Sequence, residues 1–348
     1  MDVSDFDFDL PEALIAQEPA AERGRSRLLV LSRETGAITH SRFDRIADFL
    51  RAGDLLVLNN TRVYPARLLG VRVPSGGAVE CLLLANLGEG RWDALMHPGQ
   101  KLKPGARVRF ERDGATLEGE VLERHFHGRR TIRLNTTDGR NVDDAIDAIG
   151  HVPLPPYIHR ADRPEDRERY QTVFARLRGS IAAPTAGLHF TDAVLADLAA
   201  RGIERAEVTL HVGYGTFKPV RTDRVEDHVV DTERFTVDAR AAAALTLALK
   251  QRRRIVAVGT TTVRTLESLH LDESGVVMPA SGETALFIYP GHTFRIVSGL
   301  VTNFHLPRSS LLMLVAAFAG RERVLGAYAE AIEEGYRFYS YGDAMLIL

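Results

Sequence analysis

Ile255-Val-Ala-Val-Gly-Thr-Thr-Thr-Val-Arg-Thr-Leu-Glu267 decides the fold class. Ile255–Val258 is a short, wholly apolar and mostly β-branched run, the pattern of a strand buried on both faces. Gly259-Thr-Thr-Thr262 breaks it, and the spacing predicts a helix over Val263–Leu269 directly afterwards. A buried strand that feeds a helix is the unit of an α/β sheet. The same alternation extends from Thr172 onward. Thr191 is placed to cap a helix over Asp192–Arg201 that stops at Gly202. Glu207-Val-Thr-Leu-His-Val212 has period two, which sets Glu207, Thr209 and His211 opposite Val208, Leu210 and Val212. Asp238 caps an alanine-rich helix running to about Arg253. Further on, a strand is predicted over Phe294–Val301, then an irregular loop, then two helices with stops at Gly320 and Gly335, then a terminal strand over Arg337–Tyr341. Before residue 63 the pattern gives a strand at Arg27–Leu31, a helix at Asp44–Leu50 and a buried strand at Asp54–Leu58.

Between Val63 and Asn135 the rhythm differs. Arg107-Val-Arg-Phe-Glu and Thr131-Ile-Arg-Leu-Asn alternate, Asp113-Gly114 is a turn signal, and no helical period fits. The predicted architecture is therefore an α/β fold, with a mixed sheet flanked by helices, interrupted by an inserted small antiparallel β-barrel. Its parts are residues 1–62 and 152–348 for the α/β domain and 63–151 for the barrel. Gly150-His-Val-Pro-Leu-Pro-Pro-Tyr157 and the charged loop Arg160–Arg169 make the return.

Composition bounds the function. A chain of 348 residues with 45% apolar and 26% charged residues is ordinary for a soluble globular protein. The acidic N-terminus has no signal pattern, and the longest apolar run, Leu311–Ala319, is too short to span a bilayer, so a cytoplasmic protein without a membrane partner is expected. Cys81 is the only cysteine, which excludes an internal disulfide and a cysteine-rich metal cluster. The histidines do not fall at metalloprotease spacing, and no metal is expected. Net charge is −2, so no global field attracts nucleic acid. Only four of the 44 basic residues are lysines; the arginines form local clusters at Arg23–Arg27, Arg124-His-Phe-His-Gly-Arg-Arg130 and Arg252–Arg254. Each cluster is a solvated face or a phosphate-tracking surface.

In an open α/β sheet, ligands bind beyond the carboxyl ends of the strands. Three segments fall there, Gly259–Thr262, Gly213–Thr216 and Thr302–Pro307, and a fourth stretch is also suggestive. Ser180-Ile-Ala-Ala-Pro-Thr-Ala-Gly-Leu-His-Phe-Thr191 packs Thr185, His189 and Thr191 among Pro184, Gly187 and small residues; it is either a ligand-facing turn or a plain strand-to-helix turn. Gly259-Thr-Thr-Thr262 offers amides and hydroxyls to an anion, or is a capping turn. Gly213-Tyr-Gly-Thr216 hints at a nucleoside loop, but Phe217-Lys-Pro219 blocks the helix a dinucleotide fingerprint needs. In Thr302-Asn-Phe-His-Leu-Pro307, Asn303 and His305 alternate in phase toward a pocket, or only tie down a loop.

Together these segments resemble the S-adenosylmethionine:tRNA ribosyltransferase-isomerases of queuosine biosynthesis. Asp9–Gln17, Ser26–Leu31, Gly53-Asp-Leu-Leu-Val-Leu-Asn-Asn-Thr-Arg-Val63, Leu154-Pro-Pro-Tyr-Ile158, Ser180–Thr191, Val208–Gly213, Val258–Ser268, Thr302–Pro307 and Tyr339-Ser-Tyr-Gly-Asp-Ala-Met345 carry the resemblance, in the family's order and end to end. It implies an α/β domain interrupted by a barrel. It also implies that S-adenosylmethionine, as co-substrate, gives its ribosyl group to 7-aminomethyl-7-deazaguanine at the wobble position of a tRNA with a GUN anticodon. Epoxyqueuosine, adenine and methionine are the products, and no metal takes part. A proton must leave the ribose carbon beside the sulfonium, and adenine needs a proton donor; histidine suits both tasks. The resemblance points to His189, His211 and His305 as the pool for base and acid. Asp343 and Tyr341 are expected at the sulfonium or the aminomethyl group. Thr185, Thr191, Gly259, Thr260, Thr261 and Asn303 are expected to bind substrate. Arg264 and Glu267 share one helix face, with Arg264 set for the methionine carboxylate. A monomer is expected. The family's pattern is not met at Asp231, where histidine is usual, nor at Glu283, Ala285 and His292. Two other classes compete: a S-adenosylmethionine-dependent RNA methyltransferase, suggested by Gly213-Tyr-Gly215, and a non-catalytic RNA-binding protein built on the barrel and the arginine clusters.

Overall fold

The computed structural model describes residues 1–348, the side chain of Phe217 excepted. The chain begins with β1 (Arg27–Leu31), β2 (Ile38–Arg42), β3 (Leu55–Asn59) and β4 (Thr61–Val63). Six strands follow: β5 (Arg67–Val73), β6 (Ala78–Gly88), β7 (Arg91–His97), β8 (Arg107–Arg112), β9 (Ala115–Arg124) and β10 (Arg129–Thr136). Every neighbouring pair is antiparallel and β9 pairs back to β10, so the six close into a barrel in the order β10-β7-β6-β5-β8-β9. Closure leaves no open edge, and alternation fills the interior: Ala115, Leu117 and Val121 of β9 are buried while Glu118 and Glu120 face outward. The helix α1 (Val142–Ile149), which the period-two reading does not anticipate, buries Ala145, Ile146 and Ile149 in the same core.

Returning to the parent domain, the chain forms α2 (Asp166–Arg169), β11 (Leu177–Ser180), α3 (Asp192–Ala200), β12 (Glu204–Leu210), β13 (Glu233–Val237), α4 (Ala239–Lys250), β14 (Ile255–Val258) and α5 (Thr260–Glu267). Then come β15 (Ala280–Thr284), β16 (Gly299–Asn303), α6 (Ser310–Ala319), α7 (Arg321–Glu333) and β17 (Ala344–Ile347). The nine-stranded sheet has the order β15-β13-β12-β3-β14-β16-β17-β1-β2. Its centre, β12-β3-β14-β16, is parallel, and every residue of β3, β14 and β16 is buried. The fold class is thus as read: a mixed sheet with helices, and a closed antiparallel barrel.

Parallel pairing brings the ends of β3, β12, β14 and β16 to one edge of the sheet. β17 runs antiparallel to β16 with Ala344 beside Asn303, and β1 runs parallel to β17 with Leu28 beside Ala344. Those two strands therefore begin where the others end, and the segments before them, Ser26 and Tyr339–Asp343, join that edge.

Several predicted elements move, the helix predicted over Val263–Leu269 among them, which begins at Thr260. Predicted Phe294–Val301 is strand only from Gly299, because the amides of Arg295, Ile296 and Val297 are taken by the Glu267 carboxylate at 2.9, 3.0 and 2.9 Å instead of a ladder. Predicted Arg337–Tyr341 is a loop folded around Asp343, with Tyr339 at φ +74°, and the terminal strand is Ala344–Ile347. The helix expected at Asp44–Leu50 is a 3-10 helix over Phe43–Phe49. No helix among the described residues is long and apolar enough to cross a membrane.

Candidate active site

A cavity of about 560 Å³ opens at the carboxyl edge of the sheet, large enough for a nucleoside. Six of the expected residues line it: Thr185, Gly259, Thr260, Thr261, Asn303 and His305. Gly259 has φ +87°, a conformation open to glycine, and it turns the chain from β14 straight into α5. The first turn of α5 thus presents Thr260 and Thr261 and its unpaired amides to the cavity, an arrangement that favours an anion.

Asn303 joins the walls. Its Oδ1 accepts from Thr185 Oγ1 at 3.0 Å, and its Nδ2 lies 3.0 Å from His189 Nε2. Because Nδ2 can only donate, Nε2 must be the unprotonated nitrogen, and His189 Nδ1–H donates to Ser26 Oγ at 2.7 Å. Burial, reinforced by Arg337 and Arg23, pushes the His189 pKa down to about 3, so the ring stays neutral. With both nitrogens engaged, His189 stands behind the wall and orients Asn303. It borders a separate void of about 30 Å³, room for about one water, together with Tyr341.

His305 is differently placed. Its Nε2 lies 2.9 Å from Thr302 Oγ1, and its Nδ1 has no partner among the described residues. The ring lines the cavity, and burial pushes its pKa down to about 3. His211 is outside the cavity lining; Nδ1 lies 2.8 Å from Thr61 Oγ1, and burial, then Arg234, lowers its pKa. Its ring rests on Gly179, where a Cβ would come within 2.7 Å of it.

The remaining expected residues are occupied elsewhere. Thr191 caps α3 through Val194 N at 3.2 Å. Tyr341 donates to Asp166 Oδ1 at 3.1 Å. Asp343 accepts from Arg27 N at 2.9 Å and Arg337 N at 2.8 Å, which pins the loop before β17 to the start of β1. Glu267 holds the Arg295–Val297 amides. Arg264 does not reach the cavity: it is paired with buried Glu233 and donates to Leu286 O at 2.9 Å. Glu233 in turn accepts from Gly213 N at 2.8 Å and Thr216 Oγ1 at 3.4 Å, so this pair fixes the 3-10 turn Tyr214–Phe217.

Residues unforeseen in the sequence complete the cavity. Tyr157 and Tyr339 stack with ring centroids 3.9 Å apart, and Tyr157 Oη bonds Ser340 Oγ. Lys218 and Arg308 sit at the rim, paired with Asp231 and Asp7. Asp231, where histidine is usual, thus serves as the partner of Lys218, at 2.7 and 2.9 Å. Both tyrosines fall inside segments that carry the resemblance, yet an aromatic there reads first as core; only the fold stacks them. Among the described residues no group of three or more His, Cys, Asp or Glu is placed to hold a metal ion.

A family model described as "Queuosine biosynthesis protein" matches residues 3–347. The chain belongs to the queuosine biosynthesis protein family. Within that family, it is 52% identical to the S-adenosylmethionine:tRNA ribosyltransferase-isomerase of Heliobacterium modesticaldum, over 100% of both chains. It is 53% identical to the protein of the same name from an Anaeromyxobacter species, over 100% of this chain and 99% of that one. The crystal structure of the S-adenosylmethionine tRNA ribosyltransferase from Thermotoga maritima is similar, with 40% identity, a TM-score of 0.56, and coverage of 99% of this chain and 100% of that one.

Proposed function

We propose that this chain is an S-adenosylmethionine:tRNA ribosyltransferase-isomerase. It moves the ribosyl group of S-adenosylmethionine onto 7-aminomethyl-7-deazaguanine at the wobble position of GUN-anticodon tRNA and isomerises it to epoxyqueuosine, releasing adenine and methionine. In this reading residues 63–151 are the inserted barrel, and the enzyme is a cytoplasmic monomer that works without a metal. The observation that carries it is the convergence of Thr185, Gly259–Thr261, Asn303 and His305, distant in sequence, on one nucleoside-sized cavity.

The geometry supports the following roles. His305 is assigned as the base for the acidified ribose carbon: its Nε2 lies 2.9 Å from Thr302 Oγ1, and in the tautomer whose Nε2–H donates to that hydroxyl the Nδ1 lone pair is left for the cavity. His189 sets Asn303, and Asn303 with Thr185 binds polar groups of the substrate. Thr260, Thr261 and the α5 amides hold the methionine carboxylate in place of Arg264. Tyr157 and Tyr339 form an aromatic wall for a base.

Incubation with S-adenosylmethionine and precursor tRNA, followed by chromatography of the small molecules, tests the reading. Adenine and methionine are expected. S-adenosylhomocysteine would make the protein a methyltransferase, and tRNA binding without consumption of the co-substrate would make it a binding module. The role of His305 is tested by His305→Gln, expected to lower kcat by on the order of 10²-fold or more.

A further inference from the structure

Beside the α/β cavity lies a second, larger hollow of about 850 Å³ on the barrel. Leu82 of β6, His97 of β7, Gln100, the segment Arg124–Gly128 and Tyr214 line it. Its most unusual wall is Phe126, 88% exposed at the tip of the β9–β10 connection. A phenylalanine so exposed on a rigid tip has no folding role.

The tip is held from both sides. Buried Arg130 donates to the carbonyls of Leu102 at 2.8 Å and Gly99 at 2.5 Å, and also to those of His125 and Arg129. Arg129 grips the Asp93 carboxylate with contacts of 2.5–2.8 Å. Around Phe126 stand Arg124, His125 and His127, all exposed, and Arg124 makes no ion pair among the described residues. Of the nearby carboxylates, Glu80 is paired with Arg67 at 2.7 Å, and exposed Glu123 lies 3.7 Å from the His125 ring.

The two hollows share a wall. Tyr214 faces the barrel groove, while Thr216 and Lys218, from the same turn, face the α/β cavity. That turn is the one fixed by Arg264 and Glu233.

We propose that the barrel groove binds the single-stranded RNA flanking the reacting base, with Phe126 as a stacking platform and Arg124 and His127 on phosphates. An exposed aromatic set beside an unpaired arginine and two imidazoles matches the chemistry of unpaired nucleotides, whose bases stack while their backbone is held by charge and hydrogen bonds. Because the Tyr214–Phe217 turn carries lining residues of both hollows, one strand can lie in the groove while its extruded base enters the cavity. The inference rests on the tRNA-modifying reading for the identity of the partner.

Direct binding of a GUN-anticodon tRNA transcript by the full chain, followed by fluorescence anisotropy, needs no turnover, so it is separable from the adenine-release assay. Phe126→Ala is expected to weaken binding roughly tenfold or more, and Phe126→Trp to stay within about twofold of the native protein. The double variant Arg124→Ala/His127→Ala is expected to lower the slope of log K against log salt by about one. Met278→Ala, which removes an exposed apolar residue outside both hollows, is expected to bind as the native protein does. Phe126→Ala binding within twofold of native would overturn the proposal. So would equal loss of affinity for a plain RNA duplex, or sedimentation showing that Phe126→Ala turns a dimer into a monomer.

Discussion

Asn303 holds two groups that would otherwise be stranded in the wall: the Thr185 hydroxyl and the unprotonated nitrogen of His189. Asn303→Ala leaves both without their partner, at a cost of about 1–3 kcal/mol, and lowers turnover by releasing Thr185. Urea unfolding of the variant beside adenine release checks both effects. His189 and His305 also predict a pH dependence. Unfolded, each imidazole takes its proton near 6.5; folded, only near 3. Between those values the unfolded chain binds more protons, so stability rises with pH there and falls away on acidification, by up to about 1.4 kcal/mol per pH unit for each ring. Urea midpoints from pH 7.5 to 4.5 are expected to fall steeply in the native protein and less so in His305→Gln. Equal slopes would mean that His305 is protonated in the folded state. The residue types at these positions were legible in the sequence. Which histidine keeps a free nitrogen was not, because that depends on Ser26, Thr302 and Asn303 arriving as partners.

Helix α5 shows how one element serves two ends. Its first turn faces the cavity, whereas Arg264 and Glu267 face away and bind the chain segments packed against the helix. The sequence placed both on one face correctly, but the face is turned toward protein. Arg264 is committed to Glu233 and through it to Gly213, so Arg264→Met strands a buried carboxylate. A loss of about 3–5 kcal/mol is expected, and Arg264→Met/Glu233→Leu should recover a large part of it. Thermal or urea unfolding of the three variants decides this; full additivity of the single losses would show that the two side chains act independently. The same economy explains the displaced strands. Glu267 takes the amides of Arg295–Val297 and Asp343 those of Arg27 and Arg337, so stretches with a strand's composition end as loops.

Across the whole molecule, a net charge of −2 means that tRNA must be met by local patches. Binding is therefore expected to weaken linearly in log salt with a slope of a few units, while the KM for S-adenosylmethionine changes little; a flat profile for tRNA would contradict a phosphate-contacting surface. The division into a mixed, helix-flanked sheet and an inserted barrel was legible in the chain, because it follows from local periodicity: apolar runs in β3 and β14, alternation in β8 and β10. Caps at Thr191 and Asp238 were legible for the same reason, since a helix end is satisfied by the residue beside it. The functional surface was not, because its parts meet only across the sheet. Parallel pairing carries Thr185, Thr260 and His305 to one edge, the loop around Asp343 stacks Tyr339 on Tyr157, and the Tyr214–Phe217 turn sets the barrel groove beside the cavity. Period and propensity are properties of neighbours in the chain; a pocket is a property of neighbours in space.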